Sequence, residues 1–408
     1  TIGVHYIFPP LSIGLGVVLV IMEAMYLRTR NPMHEQMTKF WVRIFGLVFA
    51  VGVATGIVME FEFGTNWATY ARYVGDVFGS PLAMVALGAH FSAIWIVVAN
   101  SWQQTPAGHH IVGEGATARA EIVDFWAVVF NPSSVDRLTH TLMGCWQAGA
   151  WLVVSVGAYY LLKRKHEPFA RMSIKIGLVV ALVASLGQLA TGHASADTLA
   201  TTQPAKLAAF EGHYEESGPA DLYLVGWVSE EEEKTVGIAL PGMLSWLLHG
   251  KTTEPVTGLR AFAPEDRPPV NVVFQTYHAM VAIGMALLGL AMLGIVLLAG
   301  NRLFRSKWVL RVFVAGVLLP QAANQLGWAS AEIGRQPWIV YGLLRTSEGL
   351  SRVVRAEQVL FSLVLFGVVY ALLLAVFFFT LDHKIKHGPE PHELDETGAQ
   401  TPLAGRRV

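Results

Sequence analysis

The sequence predicts an all-α polytopic membrane protein, a bundle of transmembrane helices, and three observations carry that prediction. Of its 408 residues, 53% are hydrophobic and only 14% charged, with a mean hydropathy of +0.46, outside the range of soluble domains. Apolar windows of roughly 20 residues, enough to cross a bilayer, recur at about 5–27, 40–59, 81–99, 140–162, 173–192, 271–299, 308–330 and 356–380. Short basic segments separate several of them: residues 28–39 (RTRNPMHEQMTK), 163–172 (KRKHEPFARM) and 300–307 (GNRLFRSK).

These basic segments belong on the cytoplasmic side by the positive-inside rule. Residues 193–270 are polar and acidic, including SEEEEK at 229–234, and belong outside. Within them the apolar patch at 238–250 (IALPGMLSWLLHG) is too short to span and reads as an interfacial or re-entrant piece. The chain divides into an N-terminal bundle (1–192), an external loop (193–270), a C-terminal bundle (271–380) and a disordered cytoplasmic tail (381–408).

Counting crossings exposes a difficulty. The third span enters, so the fourth should leave, yet it ends at KRKH, which wants to be inside. One crossing is therefore missing or miscounted between about 68 and 139. Either EIVDFWAVVFNP (121–132) is re-entrant, or a helix is absent there. The 331–355 loop falls outside yet carries Arg335, Arg345, Arg352 and Arg355, so those arginines answer to something other than topology.

Other classes are excluded more simply. Net charge −1 gives no basic field for nucleic acid. The lone Cys145 leaves no partner for a disulfide, a C-x-x-C-H haem attachment or a thiolate-bound cluster. The opening TIGVHYIFPP has no basic n-region, so no cleavable signal peptide is expected.

Residues able to bind a metal gather in the outer half of the membrane: His5 at the start of the first span, His140 at the start of the fourth, Met280 in the sixth and Glu332 at the end of the seventh. His193 and His278 lie on that side too, and His90 sits nearer mid-membrane. His/His, His/Met and single His or carboxylate ligation all hold haem iron, and external arginines suit its propionates. Each residue also has an ordinary explanation. A histidine can be bonded within the bundle and Met280 can be core filler. Glu332 can pair with Arg335 three residues on, and Trp328 can belong to an interfacial belt.

The longer motifs narrow the choice. GWASAEIGRQPW (327–338), TKFWVRIFGLVFAVGVATGIVMEFEFGTNW (38–67), HFSAIWIVVANSW (90–102) and KLAAFEGHY (206–214), in that combination, resemble subunit I of cytochrome bd quinol oxidase. The resemblance runs from His5 to about Thr380. It implies that His140 and Met280 are the axial ligands of a low-spin haem b. It implies that His5 and Glu332 serve two high-spin haems, one b and one d, with the assignment between them open. Lys206 and Glu211 then match a pair implicated in quinol binding, and Arg335 and Trp328 match residues around the haem group. The implied activity is oxidation of membrane quinol coupled to reduction of dioxygen to water. Protons are released outside and consumed from inside, without pumping. The implied setting is a bacterial inner membrane, with haem sites toward the outer face, a second large membrane subunit and small single-helix subunits as partners.

The chain departs from the family in one interval. A carboxylate-rich third helix is expected between VGDVFGSPLAM and VALGAHFSAIW, between about 84 and 85, where the crossing count also fails. Remaining polar candidates for a proton route are Glu23, Ser92 and Asn100, the last placed near the inner end, and His278 stands beside Met280 where some relatives carry an Arg. The external loop resembles the short-loop branch. Two alternatives follow: a bd-like electron-transfer subunit that has lost the oxygen site, and a transporter. Against the latter, no inverted repeat is visible and the ionisable groups sit at one face.

Overall fold

A computed structural model describes residues 2–77, 89–351 and 353–390, leaving aside the side chains of 62–65, 89–93 and 116. Apolar length makes the long helices. A four-residue turn, α1 (Ile2–His5), leads into α2 (Phe8–Thr29), whose first turn carries Pro9 and Pro10 where no intrahelical N–H is needed. α3 (Pro32–Asn66) follows after a two-residue turn, so most of the expected 28–39 loop is helical. α4 (Ala68–Tyr73) is short, and α5 (Ala89–Gln104) has 16 residues.

A hairpin of β1 (His109–Val112) and β2 (Arg119–Ile122) leads into α6 (Phe125–Val129), then α7 (Ser134–Leu162) and α8 (Glu167–Thr202). Next come α9 (Pro204–Glu211), a second antiparallel hairpin of β3 (Leu222–Ser229) and β4 (Lys234–Leu240), and α10 (Met243–His249). The chain closes with α11 (Val270–Ala299), α12 (Lys307–Ala315), α13 (Leu318–Ile333), a small hairpin of β5 (Trp338–Val340) and β6 (Leu344–Arg345), and α14 (Ala356–His387).

Seven helices among the described residues are long and apolar enough to cross a membrane, which bears out the all-α membrane bundle. The short basic turns lie at one end, where Arg30, Arg164, His166 and Asn301 adopt positive φ. The opposite end carries the hairpins and is called the loop end below. α7 is central, with 78% of its apolar window buried, against 6% for α14 at the edge. α2 and α7 cross with backbones in contact: a Cβ on Gly14 would clash with the Cys145 carbonyl, and one on Gly149 with the backbone of Gly14. Small residues permit such crossings where lipid offers no hydrophobic drive.

The expected 308–330 span is broken between Ala315 and Leu318. Pro320 has no N–H for the Gly316 carbonyl, and Trp151 packs against the break, its ring 2.7 Å from where a Gly316 Cβ would stand.

The third expected span, 81–99, coincides with α5 from Ala89 on; its first part lies outside the described residues, with the side chains of His90 and Ser92. Its direction differs from the sequence expectation. Asn100, expected near the inner end, donates to Glu332 at the loop end (3.1 Å), so α5 runs toward the loop end. Tyr70, Tyr73, Val74 and Val77 already pack there with Trp102, Val128 and Val340. Only eleven residues separate Val77 from Ala89, against roughly 20 for a helical crossing. The crossing count therefore fails in that interval. It does not fail at 121–132, which forms part of β2 and then α6, N-capped by Asp124 Oδ1 on the N–H groups of Trp126 (2.9 Å) and Ala127 (3.1 Å). The expected tail is helical as far as His387, and 391–408 lie outside the described residues.

Candidate functional site

Two histidines are held by the same device. His5 Nδ1 meets Thr55 Oγ1 of α3 at 2.9 Å, and the Thr55 hydroxyl itself donates to the Gly52 carbonyl (2.9 Å). The threonine oxygen must therefore accept from Nδ1–H, which leaves Nε2 with its lone pair. His140 Nδ1 meets Thr191 Oγ1 of α8 at 3.0 Å, and Thr191 donates to Gly187 (2.9 Å). In both cases a glycine follows the threonine, as Ala-Thr-Gly at 54–56 and again at 190–192. A Cβ there would lie 3.2 Å from His5 Cε1 at Gly56 and 3.5 Å from His140 Cε1 at Gly192. The Gln188 amide nitrogen stands 3.1 Å from His140 Nε2.

α13 gathers the remaining residues. Asn324 Nδ2 reaches the Gly144 carbonyl (3.4 Å), one turn along α7 from His140. One turn further along α13, a Cβ on Gly327 would stand 2.8 Å from Met280 Sδ. Gly144, one turn from His140, and Met280 thus border the same Asn324–Gly327 turn. Trp328 packs on Tyr6 at a ring separation of 5.6 Å, and Gln325 donates to the Gly3 carbonyl (2.7 Å), which brings His5 to α13.

Glu332 ends this row. Its Oε1 accepts from Asn100 (3.1 Å) and Gln104 (3.2 Å), and its Oε2 from Arg335 Nη2. Arg137, one turn before His140, donates to Asn100 Oδ1. Lys206 Nζ, on α9, donates to Gln104 Oε1 (2.9 Å) and Gln203 Oε1 (3.3 Å). Two guanidiniums and an amine therefore surround one carboxylate. Burial first, and Arg137 second, holds the Lys206 ammonium well below the ordinary lysine value. Arg137 Nε, Arg335 Nε and Arg335 Nη1 are buried with no partner among the described residues. Buried N–H groups of this kind call for an anionic acceptor.

Glu211 leaves α9 toward α11 instead. It bonds Tyr277, and burial raises its carboxyl to about 8 although that bond acts in the opposite sense. Its Oε2 is buried without a partner among the described residues. Phe210 stacks on the Tyr277 ring (4.5 Å), and Tyr277 lies one turn before Met280.

The structure places the other sequence-predicted residues as follows. Lys206 is 3% exposed and bonded to Gln104, on the Glu332 side of α9, whereas Glu211 faces Tyr277. Arg345 pairs with Asp266 (2.5 Å) over the Trp338 ring, and Arg355 is exposed at the start of α14, so of the loop arginines described Arg335 alone is buried; Arg352 lies outside the described residues. His278 has both ring nitrogens on carbonyl oxygens, of Phe274 (2.9 Å) and Tyr223 (2.8 Å), which pins α11 to β3. His193 faces Asp197 at the surface (3.7 Å). Sequence reading passed over Arg137, Gln104, Tyr277, Thr55 and Thr191. An arginine three residues before a membrane histidine and a repeated Ala-Thr-Gly were the available signals.

The sequence profile described as cytochrome bd terminal oxidase subunit I matches residues 1–86 and 82–389. The chain belongs to this family. A cytochrome bd ubiquinol oxidase subunit 1 from Bacillus subtilis (strain 168) is 37% identical over 431 aligned positions, covering 95% of this chain and 91% of the relative. Subunit 1 of the cytochrome bd-II ubiquinol oxidase of Escherichia coli (strain K12) is 30% identical, with 97% and 96% covered. The bd oxidase structure from Geobacillus thermodenitrificans superposes with a TM-score of 0.86 at 27% identity, covering 95% of this chain and 96% of the other. The two matched pieces of cytochrome bd subunit I overlap at 82–86, within the interval 78–88 that lies outside the described residues.

Cytochrome bd oxidases carry haem, and the residues fit it. Two histidines are oriented through Nδ1 with their rings beside glycines, His140 Nε2 meeting only the Gln188 amide that a haem iron would displace, a methionine sulfur lies beside a third glycine, and buried guanidinium N–H groups without a partner among the described residues suit propionates. Among the described residues no three His, Cys, Asp or Glu gather as a bare ion would need.

Proposed function

We propose that this chain oxidises membrane quinol and directs the electrons to dioxygen as the terminal oxidase subunit of a bacterial inner membrane. The observation that carries this reading is the buried Glu211 carboxyl on Tyr277, one turn from Met280. A proton acceptor there stands beside the point where electrons enter.

His140 and Met280 would hold a low-spin haem b. His5 and Glu332 would serve a high-spin haem b and a haem d, with Arg335, Arg137 and Trp328 around them. Bound there, these groups supply one-electron transfer and oxygen binding. Thr55 and Thr191 fix the tautomer of each imidazole. Glu211 takes a proton from a quinol hydroxyl and Tyr277 orients it, so that the electrons leave a deprotonating ring. Lys206, tied to Glu332 through Gln104, offsets the carboxylate's charge. With the basic turns on the cytoplasmic side, quinol protons leave outside, protons for water come from inside, and charge separation needs no pump. Relatives named subunit 1 imply a second large membrane subunit. The exposed apolar face of α14, with Phe361, Val368, Leu372 and Phe379, suits such a neighbour, and small single-helix subunits complete the proposed assembly.

A reduced-minus-oxidised visible spectrum of the purified complex, with and without carbon monoxide, tests this reading. The expected result is haem b bands together with a far-red chlorin band that shifts with carbon monoxide. Haem b bands without any carbon monoxide response would favour the electron-transfer reading, to which the short interval between Val77 and Ala89 gives a specific opening.

A further inference from the structure

The β3–β4 hairpin has apolar residues on both faces. Inward, Gly226, Val228 and Thr235 pack on Phe274 and Gly212. Outward, the cross-strand pairs Val225–Ile238 and Trp227–Val236 form a stripe whose members are 62–68% exposed. A hairpin lying on a protein in water turns polar residues outward. This one turns four large apolar residues to its surroundings.

The edge of β3 shows what those surroundings are. Asn271, Gln275 and His278 form one stripe along α11. Asn271 Oδ1 accepts from Val228 N (3.2 Å), Gln275 Nε2 donates to the Gly226 carbonyl (2.7 Å), and His278 Nε2 meets the Tyr223 carbonyl (2.8 Å). A strand edge left open is costly where water is scarce, and here side chains of a membrane helix take it up. The hairpin is also graded along its length. Its acidic turn lies at the start of α11, where Glu230 accepts from Asn271 N (2.9 Å) and Glu233 pairs with Arg260 (2.7 Å) and Arg267 (2.6 Å). Its apolar open end reaches the level of His278. The 30 residues of α11 measure about 45 Å, which matches the roughly 40–45 Å of a bilayer with its headgroup layers. The first turns of α11, and the hairpin beside them, therefore fall in the headgroup layer, where tryptophan is favoured.

We propose that the outward face of the β3–β4 hairpin is seated in the lipid at the headgroup–acyl boundary. Thr235 Oγ1 donates to the Gly212 carbonyl (2.6 Å), so the seated hairpin also holds the end of α9 that carries Glu211. On the reading of Glu211 as the quinol site, the hairpin is the lipid-side shoulder past which a membrane-borne substrate arrives.

The test uses the intact complex in phosphatidylcholine nanodiscs. Cys145 is the chain's only cysteine and is buried, so Val225→Cys, Trp227→Cys, Ile238→Cys and the turn control Glu232→Cys can each carry a fluorophore, with the parent labelled in parallel as background. The expected result at the three stripe positions is strong quenching by a headgroup nitroxide lipid and several-fold weaker quenching by iodide than at 232. Iodide quenching equal to that at 232 would place the face in water and overturn the proposal. Shielding from both quenchers would show a protein partner on it and overturn it equally. None of these readouts depends on quinol oxidation, so a failure here leaves the role of Glu211 to be judged by its own variants.

Discussion

Thr55 and Thr191 each convert a membrane histidine from a polar liability into an oriented base, and both do so with a hydroxyl already committed to its own helix. Replacing Thr191 with Val removes the acceptor for His140 Nδ1–H. The expected outcome is a haem signal per polypeptide lowered at equal expression, with ligand affinity down roughly 10–100-fold and rescue by Thr191→Ser. Unchanged absorption and midpoint potential in the Val variant would deny the threonine its role. Glu211 supplies a pH test. Its carboxyl, raised to about 8 by burial, is neutral below that pH and can accept a proton only above it. Quinol oxidation should therefore rise as pH passes upward through about 8. Glu211→Gln should lose that limb and fall by roughly 10²–10⁴-fold. His5, His140 and Glu332 were legible in the sequence because ionisable groups stand out in apolar windows. Thr55 and Thr191 were not, because a threonine bonded to its own helix is ordinary in a membrane span.

At the scale of elements, the crossing of α2 and α7 rests on Gly14 and Gly149. Gly149→Val must push the two backbones apart, and an overpacking penalty of about 3 kcal/mol or more is expected, read as a lowered melting temperature of the detergent-solubilised protein. Gly327→Ala acts at the contact with the proposed ligand Met280: its Cβ would stand 2.8 Å from Met280 Sδ. The low-spin absorption should weaken while the melting temperature moves little. The helices were readable from apolar length alone. The hairpin at 222–240 was not, because its acidic turn made the strands read as polar loop, while 238–250, read as a short interfacial or re-entrant piece, is the end of β4 followed by α10. The break at Gly316 was marked by Pro320, four residues on, inside a window whose hydropathy still spans. The direction of α5 could not be settled by counting charges, and it took the Asn100–Glu332 contact to fix it.

Across the whole molecule, His5, His140, Met280 and Glu332 come from helices scattered along the chain and are tied together through contacts along α13, with Arg137, Arg335 and Lys206 around Glu332. α9 joins that cluster to Glu211 and Tyr277, so the proposed proton acceptor and the proposed point of electron entry share one scaffold. The family was legible in the order of four motifs, and the interval around 82–86, where the family match divides, is the same one that the crossing count and the Val77–Ala89 distance along the chain single out. Whether this protein reduces oxygen is decided most directly by the rate of oxygen uptake when quinol is added to the purified complex, parent and Glu211→Gln side by side. The account predicts quinol-dependent uptake in the parent that the variant largely loses. Haem that quinol reduces without any oxygen consumed in the parent would contradict it.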